Sequence, residues 1–566
     1  QRLLMCGIYG FTWIDEVLLN EMMNKCKHRG PDYTSFYTDK LNISLGHNLL
    51  AITDNPQESK QPWITPNGNI LVYNGEIFNY EDLCEKYHDV FQARTKCDTE
   101  LLAWGLDEFG ISFVEQIDSQ HAFALWNSKD LTLTLSRDHV GIKPLYYRFS
   151  GNNGMQFASE LKALLTGEET VNPIAEACFA YTGLNVTEYS FYNDIYKVLP
   201  GESVTFRDNK ILRKRSDIVF GTEDQYFQEE EFVEEVRLAV HRCMRGIRQR
   251  GIFLSGGMDS AVLALHASEL DKGIKTFTSR VYPNPKKIHS HRTFSLWNTR
   301  EITITYSRKG EDFNSDAECA KKLSKELGTN HYEVLHKESD WDNYFEKAWK
   351  ACEEPMYNWS IPMYQHVNKE MADAGIVITL AGDMGDELTL GYPSYFNFQK
   401  KLSSNINSQP ELRYTLKKWM DRLKSPPRIS VKISKDDICD YLLNGPFRNL
   451  QTSYAICAYQ RMDQIGNCSE DFFRRNDRLG MMYSMEGRFP WASKRLMTYC
   501  MNINPMEKLK LGQKGMTKKA YKNLLPDFIL RKSKTGWTSP VQQWKGIKKD
   551  QPALDMYKKW LTNGIL

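Results

Sequence analysis

The sequence predicts a mixed fold: a β-rich α+β unit first, then an α/β unit on a parallel sheet, then a helical C-terminal region. Three observations predict it. Short β-type runs separated by turn signals fill the chain up to about Ser203, among them 41–48, 69–73, 121–127, 131–137 and 145–150. From about Glu229, helical stretches at 230–243, 316–327 and 342–351 alternate with apolar strands at 251–254, 276–280 and 376–381. Crossover helices on a parallel sheet produce that alternation. After about Ser404 the pattern is helical with charged faces, expected to wrap the α/β core. The polar, mixed stretch before Glu229 reads as a linker at 207–228, which sets two units, 6–206 and 229–566.

The second unit opens on its most informative stretch. An apolar strand runs into Leu254, Ser255, Gly256, Gly257, Met258, Asp259 and Ser260, and Ala261 to Leu265 leave with helical spacing. Strand, Gly-rich turn and helix N-terminus in that order make an anion site, because free N–H groups and the helix dipole face the ligand. The serines add hydroxyl donors, and Asp259 is placed to hold a Mg²⁺ that bridges phosphates. A Walker loop requires a Lys after the last glycine, and none follows here. SGGMDS resembles instead the pyrophosphate loop of enzymes that cleave ATP to AMP and pyrophosphate. A second acidic turn, Ala381, Gly382, Asp383, Met384, Gly385, Asp386 and Glu387, ends the strand at 376–381.

Composition narrows the function classes. The 566 residues carry a net charge of +2, which gives no argument for nucleic acid or an anionic membrane. No apolar run approaches the roughly 18 residues that span a bilayer, and no signal peptide is visible. The 12 cysteines are scattered without CxxC pairs, so reduced thiols in a cytoplasmic protein are expected.

At the other end, Cys6 stands beside Met5. If processing leaves Cys6 first, its α-amine can act as general base for its own thiol. A lone cysteine is more often a small buried residue, but Cys6 has company. His28-Arg29-Gly30-Pro31-Asp32, Asn74-Gly75-Glu76, Cys97-Asp98, Arg137-Asp138-His139 and Ser159-Glu160 follow in order. Together they resemble the glutaminase domain of class II glutamine amidotransferases. With SGGMDS downstream, nearly the whole chain resembles the asparagine synthetase family.

That resemblance implies an N-terminal-nucleophile αββα sandwich followed by a pyrophosphate-loop synthetase domain. It implies that Cys6 attacks the glutamine carboxamide, that Asn74 and Gly75 form the oxyanion hole, and that Glu76 and Asp98 hold the α-ammonium of glutamine. It places ATP on Leu254, Ser255, Gly256, Gly257, Asp259, Ser260, Ala381 and Gly382, and Mg²⁺ on Asp259 and Asp386. Asp383 would face the acceptor. Arg531-Lys532-Ser533-Lys534 matches the family's R-x-x-K run, making Lys534 the candidate for neutralising phosphate and acyl-adenylate charge. Without the motif, that stretch reads as a solvated basic turn. Met485 to Trp491 resembles its VRxPF segment, and Lys518 and Lys522 fit its K-x-x-x-R position loosely.

The implied activity is ATP-dependent amidation of a carboxylate through an acyl-adenylate. Aspartate is the default acceptor, glutamine or ammonia the nitrogen source, and a homodimer is an expectation. Three departures bear on this. Gly46-His47-Asn48 leads into Leu49, where the family has the Arg that grips the glutamine α-carboxylate. Residues 1–5 precede Cys6 and, if retained, tie up its amine. The segment 283–310 is an insertion with its own β-like run at 301–307, next to the expected cleft. The alternative is therefore a relative that amidates a different carboxylate, its glutaminase domain weakened or silent.

Overall fold

The computed structural model describes residues 6–30, 32–39, 42–151, 154–207, 210–215, 221–282, 290–296, 300–306, 314–358, 360–403, 412–421, 429–448, 450, 452–532, 540, 544 and 557–558. The first unit is two six-stranded antiparallel sheets packed face to face. Side-chain alternation explains the layers. In strand Gly7–Phe11, Ile8 faces the apolar layer between the sheets, while Tyr9 and Phe11 pack outward on helix Glu16–Lys25. In strand Ile70–Ile77, Ile70 and Val72 face the same inner layer, and Leu71 and Tyr73 pack on helix Asp98–Phe109. Period-two apolar residues on both faces force helices onto both outer faces. The result is a helix–sheet–sheet–helix sandwich, as the resemblance implied. Each large side chain buried in these layers contributes roughly 1.5–3 kcal/mol.

The second unit carries a five-stranded sheet whose four pairings are all parallel. Across it lie Asn330–His336, Lys275–Val281, Arg250–Phe253, Ile378–Leu380 and Glu486–Arg488. The chain starts at the central strand Arg250–Phe253, builds out to one side, then returns to build the other. Strands Arg250–Phe253 and Ile378–Leu380 therefore flank the point where the order reverses, with Ile252 opposite Leu380. In open α/β sheets, ligands bind beyond the strand C-termini at that point.

Two sequence expectations change on the structure. The polar stretch at 207–228 begins as strand Lys210–Arg215, the edge of the second antiparallel sheet, paired with Glu202–Arg207. The charged C-terminal helices do more than wrap the core. Helix Arg474–Met481 is buried along its whole length, its arginines and aspartate included. Charge spacing alone cannot distinguish a solvated face from one buried against counter-ions. The insertion contains an antiparallel hairpin, Ser290–Leu296 with Arg300–Tyr306.

Candidate functional site

The two acidic turns meet in one cleft of about 360 Å³. Helix Met258–Leu270 starts right after the first turn, with Gly257 at its N-cap. Ser260 Oγ accepts from the Ser255 amide at 3.2 Å and contacts Ser255 Oγ at 3.0 Å, which closes the loop on itself. Gly256 sits at φ +72, and a Cβ there would meet the Asp316 carbonyl oxygen at 2.1 Å. Only glycine fits this turn. In the second turn a Cβ on Gly385 would lie 2.7 Å from the Asp259 carboxyl carbon, so a second glycine lets the two turns approach. Met384 holds a left-handed φ of 78, a conformation in which a side chain costs on the order of 1–2 kcal/mol.

Asp259 and Asp386, from turns on neighbouring strands, converge on one cation. Lys514 Nζ lies 2.5 Å from Asp259 Oδ2 and 2.9 Å from Asp386 Oδ1. The two carboxylates raise the lysine's pKa against the opposing effect of burial, so it stays charged. Sequence reasoning missed Lys514, which lies four residues before Lys518 and outside the motifs used. Its left-handed φ of 53 at the start of helix Gly515–Ala520 aims it into the cleft. Lys518 and Lys532 line the same end. Lys532 donates to the Gly256 carbonyl at 3.3 Å and pairs with Asp316. Lys522 is instead at the surface, 3.2 Å from Glu229. Lys534 lies outside the described residues.

A Mg²⁺ fits this donor set in kind: hard carboxylate oxygens from two turns, already drawn together around an ammonium. Among the described residues no group of three or more His, Cys, Asp or Glu suits a metal ion. Further ligands would therefore come from phosphate oxygens.

The opposite end of the cleft is built by the segment Asp463–Phe473 and the helix after it. This segment is a π-helix, a form concentrated at functional sites. It brings Phe472 to the cleft wall, and the next helix adds Arg475. The Arg475 guanidinium lies 4.3 Å from the Tyr364 ring centre and pairs with Asp471 at 2.8 Å. Asp383 accepts from Asn476 at 3.2 Å and faces Arg475 at 4.0 Å. Burial pushes the Asp383 carboxyl up to about 6, against the pull of Arg475.

The N-terminal candidates gather separately, around a cavity of about 30 Å³ lined by Cys6, Leu49, Asn74, Gly75, Glu76 and Asp98 among others. Cys6 Sγ accepts from the Leu50 amide at 3.4 Å and donates to the Leu50 carbonyl at 3.7 Å. Burial pushes its thiol up to about 12. The Asn74 side-chain amide is buried with its nitrogen unpartnered, which suits a donor waiting for an oxygen. Asp98 accepts from the Tyr73 hydroxyl at 3.0 Å and the Ile77 amide at 2.8 Å. Glu76 is engaged by two residues of the second unit: Arg245 at 2.5 Å and Arg488 at 3.1 Å. Neither arginine was an expected site residue, though Arg488 belongs to the VRxPF-like stretch.

Both units match domains found in known proteins. Residues 5–216 match the glutamine amidotransferase domain, and residues 231–559 match asparagine synthase. A putative glutamine-hydrolysing asparagine synthetase of Methanocaldococcus jannaschii is 27% identical over 69% of this chain and 76% of its own length. Asparagine synthetase 1 of Bacillus subtilis is 25% identical over 95% of this chain and 88% of its own. Amidase chyE of Penicillium rubens is 23% identical over 94% of this chain and 86% of its own. Among the described residues, no helix is long and apolar enough to cross a membrane. With more than half its length matched by the synthase domain and an amidotransferase domain ahead of it, the chain belongs to the asparagine synthase family of carbon–nitrogen ligases.

Proposed function

We propose that this chain activates an amino-acid carboxylate with ATP and converts it to an amide, aspartate to asparagine being the default. The observation that carries the proposal is the convergence of Asp259, Asp386 and Lys514 at the switch point of a parallel sheet. A carboxylate is a poor electrophile. Attack of its oxygen on the α-phosphorus breaks the bond to the β-phosphate, releases pyrophosphate and gives an acyl-adenylate. Ammonia then adds to the acyl carbon, AMP leaves with the bonding pair, and a proton is lost from nitrogen.

The Gly256–Ser260 loop and the first turn of its helix would cradle the phosphates, with Ser255 and Ser260 hydroxyls as donors. Lys514, Lys518 and Lys532 would take charge as it moves onto pyrophosphate, and Lys534 joins them as the motif candidate. A Mg²⁺ on Asp259 and Asp386 would neutralise phosphate charge when bound.

The acceptor end carries both signs of charge. Arg475 suits an α-carboxylate, and Asp383 suits an α-ammonium, a pairing that favours a zwitterionic acceptor. Tyr364 and Phe472 beside Arg475 favour a second reading, an amino-acid acceptor bulkier than aspartate. ATP–pyrophosphate exchange across a panel of carboxylates tests both. Exchange with aspartate alone supports the default, exchange with a bulkier acceptor supports the second, and none with any acceptor refutes the activation chemistry. We place the domain boundary within 207–228, a reading supported by the apolar layer between the two antiparallel sheets, whose buried residues all precede 207.

A further inference from the structure

We infer that the Cys6 pocket of this chain takes no glutamine, and that amide nitrogen reaches the synthetase cleft as free ammonia. The inference rests on the ligase reading only for where that nitrogen goes. What it says of the pocket stands on the pocket's own geometry.

To hold glutamine, the pocket needs a cation for the α-carboxylate and carboxylates for the α-ammonium. The first has become Leu49, an apolar side chain that is 2% exposed. Among the described residues that line the cavity, none carries a positive charge in its stead.

The second is present but already occupied. Arg245 Nη1 lies 2.5 Å from Glu76 Oε1, and Arg488 Nη2 lies 3.1 Å from Glu76 Oε2, so each carboxylate oxygen has its own guanidinium. The two arginines are themselves anchored. Arg488 is fully buried, pairs with Glu486 at 2.7 Å and donates to the Cys243 carbonyl at 2.9 Å. Arg245 pairs with Glu81 at 2.9 Å, donates to the Lys96 carbonyl at 2.9 Å and lies 4.3 Å from the Tyr80 ring centre.

Both Glu76 oxygens are thus already paired, so a substrate ammonium can engage this carboxylate only by competing with two anchored guanidiniums. Burial pushes the Glu76 carboxyl up to about 8, against the pull of Arg488 and Arg245. Asp98, the second ammonium candidate, has one oxygen taken by Tyr73 and Ile77. The remaining space, about 30 Å³, holds a few water molecules at most.

Cys6, Asn74 and Gly75, the reacting end of a glutaminase, survive beside this. The recognition end has been converted into an ion-pair joint between the two units. Without the cation, the contact it would make is worth about one to two decades of affinity. Displacing two buried guanidiniums from Glu76 adds to that.

The test uses the full chain prepared with Cys6 as its first residue, so that a free α-amine is present and only recognition is in question. The chain is incubated with glutamine, with and without ATP and acceptor, and glutamate is measured. A parallel sample takes 6-diazo-5-oxo-norleucine, which alkylates the thiol of working glutaminases, followed by intact-mass analysis. Glutamate no higher than in a Cys6→Ala control, and no adduct, is the expected result. Glutamate release that Cys6→Ala abolishes, or an adduct on Cys6, overturns the inference.

Nitrogen use is followed with ¹⁵N-ammonium against unlabelled glutamine. Label in the amide product supports free ammonia as the source, and unlabelled product overturns it. Pyrophosphate exchange needs no nitrogen donor, so failure of the ligase reading shows there and leaves the glutaminase result to be judged separately.

Discussion

Arg29 and Asp477 form a two-pronged ion pair, 2.8 and 3.0 Å, that joins the first unit to the second across 448 positions of sequence. Arg29 also donates to Glu160 at 2.7 Å and, through Nε, to the Cys6 carbonyl at 3.2 Å. Arg478, one position on from Asp477, pairs with Glu160 at 3.1 Å and Glu353 at 3.0 Å. The helix so held is the one that presents Arg475 and Asn476 to Asp383. The first unit therefore helps fix the end of the cleft proposed for the acceptor, whatever its own pocket does.

Removing one member of such a buried network strands the others. Arg29 is fully buried and its two acids are nearly so. Arg29→Ala should cost about 3–5 kcal/mol, read as a fall in the urea midpoint of unfolding. The double variant Arg29→Met with Asp477→Leu should lose less, because it removes both charges of the pair. A midpoint unmoved by Arg29→Ala would show that the network contributes nothing to stability.

The paired turns give the next expectation. Asp259→Asn and Asp386→Asn should each lower ATP–pyrophosphate exchange by about two to three decades, the loss typical when one group that stabilises developing charge is removed. Each change also leaves Lys514 facing one carboxylate instead of two. Exchange at the native rate in both variants would remove the metal assignment.

For the lysines the informative quantity is the split between kcat and KM. Lys514→Ala should lower kcat for exchange by about a hundredfold or more, with a smaller change in KM for ATP, because charge on pyrophosphate grows toward the transition state. Lys534→Ala should behave alike. A variant that raises KM alone marks a lysine that binds ground-state ATP and does no more.

What was legible in the sequence follows from which signals are local. The Gly256–Ser260 turn, the Gly382–Asp386 turn and the strand–helix alternation each fit within a few residues, and the structure has the strands and helices where the periodicity put them. The sandwich was legible only through a set of motifs spread over 150 residues, since alternation on both faces does not say what covers them. Leu49 was visible as a missing Arg, but the guanidiniums on Glu76 were not. Arg245 and Arg488 lie far from Glu76 in sequence and reach it only once the two units pack. Lys514 was missed for the same reason. A lone lysine before Gly515 carries no local sign that two distant aspartates enclose it. The burial of helix Arg474–Met481 was hidden because most of its counter-ions are remote in sequence: Glu354 for Arg474, Arg29 for Asp477, and Glu160 with Glu353 for Arg478.

The acidic side of the pH profile tests the acceptor end. Asp383 is largely buried, 14% exposed at its side chain, and its carboxyl is pushed up to about 6 by desolvation, with Arg475 and Asn476 opposing. If its carboxylate holds the acceptor ammonium, acceptor-dependent exchange should rise as pH rises through about 6 and level off above. Asp383→Asn should raise the acceptor KM by about one to two decades and erase that limb. The same shift has a stability sign. The folded state holds the proton more tightly than the unfolded chain, whose carboxyl titrates near 3.8, so stability is lost as pH rises from about 4 to 6 and stays lost above. A shift of that size corresponds to a cost on the order of 3 kcal/mol at neutral pH. Asp383→Asn should therefore be more stable than the native chain at pH 7.5 and lose that advantage at pH 4. A variant that is less active and no more stable at pH 7.5 would show that Asp383 is ionised at little cost, already satisfied by Arg475 and Asn476. A native profile flat between pH 5 and 7 would remove Asp383 from acceptor binding.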